Sequence, residues 1–300
     1  MADQPGRQNH FYGGQAVVEG VMMRGRAVWA VVVRKPDRSL HVESHDIRSV
    51  AQRHPIWTKP LLRGVIALGQ ALAIGFRALS ISARESAPEE EQLSSRQMAF
   101  SMGFAIVLFL GIFIVVPAVA FRWVGSRVDS SFLVNAGEGV FRVLLFLGYL
   151  LLIGRTKEIR RVFAYHGAEH KTIAAFEDHQ ELTPENVDRY STLHVRCGTN
   201  FLLLVMIITI FVFALFGNPG IWWRIGSRIL AIPIIAGLAF EMLRMGARFP
   251  NSRLIHGLMV PGLWLQKVTT KPPELDQIEV AIASFNEVLR RESEAETAEA

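Results

Sequence analysis

The chain has 300 residues, half of them hydrophobic, with 20% charged residues and a formal net charge of +5. A mean hydropathy of +0.27, carried by long uncharged runs, argues against a soluble globular domain and for a chain embedded in a bilayer. The single cysteine, Cys197, excludes an intrachain disulfide framework. Lys and Arg are spread over several segments, so they read as topology signals and contacts to anionic lipid rather than as a specific nucleic-acid site.

Residues 1–60 read as a cytoplasmic, β-rich unit. Val17, Val18, Val21, Met22 and the run Trp29–Val33 suit strands, and Arg34–Arg38, with Pro36 and Asp37, is a turn signal. Gly13, Gly14 and Gly20 add backbone freedom. No secretory leader is evident, because residues 1–10 are polar and the next apolar stretch is broken by Glu19 and Arg24. Residues 61–99 follow as a helix and a hydrophilic linker. The uncharged centre of Leu61–Ile81, between Arg63 and Arg77, is too short to span comfortably, so an interfacial or re-entrant helix is expected.

Four apolar segments come next. Phe100–Phe121 and Val134–Gly154 form a first pair within residues 100–154, and Phe201–Gly217 and Ile225–Met245 a second within residues 201–246. The second carries Glu138 and Arg142; the fourth is interrupted by Arg228 and Glu241. Residues 155–200 contain Arg155, Lys157, Arg160, Arg161, Lys171, Arg189 and Arg196, whereas the 122–133 connection has only Arg122 and Arg127. The excess of positive charge on inner loops then places the 155–200 loop and both termini in the cytoplasm. In residues 247–300, Leu275, Ile278, Ile282, Phe285 and Leu289 fall at helical spacing, after Pro272-Pro273, as an amphipathic helix docking on the cytoplasmic part. Glu292–Ala300 is acidic and alanine-rich, the composition of a disordered tail. The expected fold class is therefore membrane α-helical, with about four transmembrane helices, an interfacial or re-entrant helix and a small cytoplasmic α+β part.

The densest polar cluster is Tyr165-His166-Gly167-Ala168-Glu169-His170-Lys171-Thr172. On a helix, His166 and His170 lie one turn apart on one face and can converge on one zinc-type ion. Glu169 shares that stripe and can orient or deprotonate a bound water. The competing reading is a hydrogen-bonded polar patch; Gly167 weakens a helix there by about 1 kcal/mol relative to alanine. His194 and Cys197, at His-x-x-Cys spacing, would complete a closed structural zinc site with the two histidines. Glu241 instead would leave a position open for water, as a catalytic site needs. The plainer readings are a buried apolar Cys197, a Glu241 paired with Arg228 or Arg244, and a Glu19 paired with Arg24 or Arg26 instead of pointing into the site.

At Gly13-Gly14-Gln15-Ala16-Val17-Val18-Glu19-Gly20-Val21-Met22-Met23-Arg24, Tyr165–Thr172, Arg196–Thr199 and Gln277–Ile282 the chain resembles the YqhQ-like family of bacterial membrane proteins. The resemblance covers nearly the whole chain and implies a metal-dependent enzyme of undefined substrate. Two function classes stand: a membrane-embedded metal-dependent hydrolase working at the cytoplasmic surface, or a non-catalytic scaffold or insertion factor with protein partners in a larger membrane complex.

Overall fold

A strand with an unbroken apolar run, such as Trp29–Val33, needs cover on both faces. The structure, a computed structural model describing residues 12–47, 55–194, 197–214, 220–248 and 253–299, supplies it. Strands β1 (Gly13–Val17), β2 (Gly20–Arg24), β3 (Val28–Arg34) and β4 (Leu40–Asp46) form one antiparallel sheet in sequence order. The turn expected at Arg34–Arg38 joins β3 to β4. The described helices are α1 (Leu62–Glu85), α2 (Ser95–Leu110), α3 (Val116–Gly125), α4 (Ser131–Ile153), α5 (Lys157–Glu177), α6 (Pro184–Asp188), α7 (Gly198–Ala214), α8 (Ile221–Arg248), α9 (Arg253–Thr269) and α10 (Leu275–Glu299).

The alternation of β2 and β3 divides their side chains between two cores. Val21, Met23, Ala30 and Val32 pack under α5 and α10, with Tyr165, Ile278 and Phe285. Met22, Trp29, Val31 and Val33 pack with Val17 under Ala78 and Ile81 of α1. The amphipathic reading of α10 holds for Ile278, Ile282 and Phe285, which enter the first core, whereas Leu275 stays exposed. The expected disordered tail is instead a continuation of α10 to Glu299. Composition missed it because one local pair and two distant contacts support the helix: Arg290 bonds Glu294, and Glu292 accepts hydrogen bonds from the Arg26 amide and the Tyr12 hydroxyl.

Among the described residues, four helices are long and apolar enough to cross a membrane: α1, the continuous Ser95–Gly125 unit of α2 and α3, α4, and α8 through Met245. Three coincide with expected spans. The expected third span is α7, which at 17 residues is the shortest of the apolar set; residues 215–217 of that expectation lie outside the described residues. α7 is apolar all round because α4, α8 and α9 surround it. The expected interfacial segment is α1, whose 24 residues give about 36 Å of helix. From Gln70 onward it lies along the sheet: Gln70 accepts from Arg24, and Ala78 and Ile81 join the second core. α9 was not anticipated, because Pro261-Gly262 reads locally as a turn; it packs on α7, α4 and α8.

Inside the helical bundle, Glu138 of α4 is fully buried and accepts from Arg142 at 2.8 Å and from Arg228 of α8 at 3.0 and 3.1 Å. Arg228 also donates to Asn135. Arg142 donates through Nε to the Phe113 carbonyl at 2.7 Å. Phe113 lies in a π-helical turn, Gly111–Val115, where the helical ladder leaves a carbonyl free to accept. Charges at such depth persist only when paired. Glu138→Leu leaves two buried guanidiniums short of their carboxylate and is expected to destabilise the protein by about 3–5 kcal/mol. Glu138→Leu/Arg228→Leu should recover part of that loss. Thermal unfolding in detergent measures both, and a single variant as stable as the parent would refute the pairing.

Candidate metal centre

α5 starts where the Thr156 hydroxyl accepts from the Ile159 amide, and it then runs through the middle of the polar unit. Tyr165, Ala168 and Ala175 face the core under β2 and α10. The opposite stripe carries His166, Glu169 and His170. Gly167 is needed there by packing: the Lys271 carbonyl rests on its Cα, and a Cβ at that position would collide with it. The same crossing is sealed by the Lys271 amide donating to the Phe163 carbonyl.

The two histidines are oriented by backbone. His166 Nδ1 lies 2.9 Å from the Thr269 carbonyl, at the end of α9, and His170 Nδ1 lies 2.6 Å from the Thr192 carbonyl. A carbonyl only accepts, so each Nδ1 carries the proton and each Nε2 presents its lone pair inward. His166 Nε2 stands 3.2 Å from Cys197 Sγ. Among the described residues, His170 Nε2 is buried with no hydrogen-bond partner. These three ligand atoms lie within 4.8 Å of one another and could hold a metal ion. Around a tetrahedral ion, with donors at roughly 2.0–2.3 Å, neighbouring donors stand about 3.3–3.6 Å apart, so the group would have to draw together by about 1 Å to hold one. A buried, unpartnered imidazole nitrogen costs roughly 1–3 kcal/mol, which a bound ion would offset.

Burial shapes the protonation states. It pushes His170 down to about 3, with His166 and His194 adding to the effect, so His170 is neutral at neutral pH. It raises the Cys197 thiol, against the pull of Thr199. It raises Glu169 to about 8; the Cys197 sulfur pushes the same way, and His166 and the Gly14 amide oppose it. Glu169 Oε2 is buried without a partner. Gly14 is a close approach: a Cβ there would stand 2.9 Å from the Glu169 carboxyl carbon and 2.7 Å from the Met22 carbonyl oxygen. Its role is to let β1 lie against this carboxylate.

The other residues singled out by sequence go elsewhere. His194 Nε2 lies 3.5 Å from Glu177, and its ring stacks at 5.7 Å from His170, outside the three-atom group. Glu241 is paired with Arg63 of α1 and accepts from the Leu61 amide, the nearby Arg244 charge adds to that pairing, and Arg228 is held by Glu138 instead. Glu19 is held by Arg161 through two bonds of 2.5 and 2.6 Å and by the Tyr165 hydroxyl. That grip stabilises a non-glycine residue at φ 51° in the β1–β2 turn. Arg196 lies outside the described residues.

Sequence reasoning missed the supporting set. The carbonyls of Thr192 and Thr269 carry no side-chain signal. Gln266 is fully buried; it accepts from the His194 amide and donates to the His194 carbonyl and to Asn200. A glutamine directly after the apolar stretch Gly262–Leu265 was the available clue.

Residues 59–291 match the family described as "Protein of unknown function (DUF1385)". "Uncharacterized protein YqhQ" of Bacillus subtilis (strain 168) is 35% identical over 299 residues, covering 95% of this chain and 94% of its own. No solved structure matches. With both alignments running across the polar unit and the apolar helices, the chain belongs to the DUF1385, YqhQ-like family.

Proposed function

We propose that this is an integral membrane protein carrying a zinc-type hydrolytic centre on the cytoplasmic side of a bacterial plasma membrane. The observation that carries the reading is the convergence of His166, His170 and Cys197 beside a buried, half-satisfied Glu169. Two imidazoles and a thiolate suit zinc over magnesium or calcium, which prefer oxygen donors. Three protein donors leave a fourth position open, because His194 is turned toward Glu177. A bound ion would supply Lewis acidity and an acidified water. Glu169, with an oxygen free and its affinity for a proton raised by burial, is placed to take a proton from that water and return it to a leaving group. Thr192 and Thr269 keep both imidazoles aimed. The second class, a scaffold with a purely structural ion, requires the centre to be closed. Its expected docking element, α10, spends its apolar face inside the protein's own core.

Purified without chelator, the protein should contain close to one transition-metal equivalent, and His170→Ala should lose most of it. Glu169→Gln should keep the metal. Cobalt loaded into the parent should change its visible spectrum on adding a short hydroxamate, which needs an open coordination position. A protein free of transition metal refutes the centre; a metal-loaded protein blind to hydroxamate makes the ion structural.

Ion capture requires the Cys197 thiolate, and burial holds that thiol protonated at neutral pH. Affinity should therefore rise with pH, by about tenfold per unit for each proton released. In Cys197→Ser the slope should drop by about one proton, because the hydroxyl keeps its hydrogen. Competition titrations from pH 6 to 8 measure it, and an unchanged slope would remove Cys197 from the ligand set.

The orientation follows from the uneven Lys/Arg distribution. In a Cys197→Ser background, Gln180→Cys should react with an impermeant maleimide only after the membrane is opened. Val128→Cys should react in intact cells. Labelling of position 180 from outside would reverse the topology.

A further inference from the structure

The helical bundle contains a cavity of about 250 Å³, walled by α1, α2, α4, α7 and α8 and the π-helical turn between α2 and α3. Along α7 it is lined by Phe201, Val205, Thr209 and Phe213. These continue the i+4 row that starts at Cys197, so the cavity wall begins about 6 Å, one helical turn, from that residue. From Phe201 to Phe213 it extends about 18 Å further into the bundle.

The polar groups in this wall are already engaged. Thr209 donates to the Val205 carbonyl, and Arg142 and Arg228 donate to Glu138. A peptide entering here would find no partners for its amides, and a helix about 10 Å wide would not fit. A hydrocarbon chain needs no partners, and chains are what a bilayer offers to a cavity among helices long and apolar enough to span it.

From this geometry we infer that the cavity takes a single acyl chain, and that the centre acts on the ester or amide at the head of that chain. The substrate class is thus an acylated membrane amphiphile. This rests on the hydrolytic reading above. In the ester case, the oxygen of water bonds to the acyl carbon and the carbon–oxygen bond to the alcohol breaks. Glu169 accepts the water's proton and passes it to the departing oxygen, so ester and water become acid and alcohol without an added reductant or oxidant.

Two measurements test this. In the first, the full-length protein in bilayers is irradiated with a phospholipid bearing a diazirine within its acyl chain. Attachment should concentrate on Phe201, Val205 and Met206 above the level at Leu144, an exposed position on α4. Val205→Trp should abolish the cavity attachments and keep those at Leu144; Ile232→Trp, from the opposite wall, serves if that variant folds poorly. Cavity attachment no higher than at Leu144, or unchanged in both variants, would overturn the inference. This readout does not depend on a metal. In the second, cobalt-loaded protein is titrated with hydroxamates of increasing alkyl length, and affinity should rise about fourfold per added methylene until the chain reaches Phe213. If short hydroxamates bind and length adds nothing, the chain site fails and the hydrolytic centre stands. If no hydroxamate binds while the attachment pattern persists, the centre fails and the chain site stands.

Discussion

The structure depends on a pair of hydrogen bonds from imidazole to backbone carbonyl. His166 leans on Thr269 and His170 on Thr192, and each bond selects the tautomer that points Nε2 inward. The two carbonyls come from different segments that meet over one face of α5, one from the end of an apolar helix and one from the loop before α7. Without both, two histidines on one face would be ordinary polar residues free to turn outward. The cost of the arrangement is visible in an unpartnered Nε2, an unpartnered Glu169 oxygen and a carboxylate whose pKa is raised to about 8. Such costs concentrate where a fold is built around a ligand or a reaction.

The rest of the molecule can be understood as what surrounds that helix. β1 reaches it because Gly14 has no side chain. α10 covers it with Ile278, Ile282 and Phe285, and the sheet is in turn covered by α1. Gln266 ties the His194 backbone to α9 through two hydrogen bonds. The polar unit and the bundle therefore meet at the centre. α7 leaves it immediately after Cys197, and α9 arrives at it with Thr269. A reacting group there would stand at the boundary between the apolar helices and the polar unit, which is the position a membrane-borne substrate would need.

Deeper in the bundle, the Glu138–Arg142–Arg228 network performs a separate task. It joins α4 to α8 and, through the Phe113 carbonyl, to the π-helical turn between α2 and α3. Two guanidiniums facing one carboxylate is a costly solution at this depth, and a network of this kind specifies one packing of four helices where apolar contacts alone would allow several.

Local chemistry made much of this legible in advance. Apolar runs announced α2 through α4 and α8, the β-branched and bulky run in β3 announced a strand, and the spacing of His166, Glu169 and His170 announced one face of a helix. All of these are properties of residues close in sequence, where periodicity alone dictates the outcome. What required the tertiary structure was every relation between distant residues. Glu241 sits against Arg63, Glu19 against Arg161, and Glu138 against Arg228, pairings separated by 90 residues or more that no spacing rule encodes. α9 forms through a Pro-Gly pair because packing against α7, α4 and α8 overrides the local preference for a turn. Cys197 joins the histidines while His194, three residues before it, turns away. Sequence supplied the candidate donors; which lone pairs converge was settled by the backbone carbonyls that each ring happens to meet, and a carbonyl is the same in every residue.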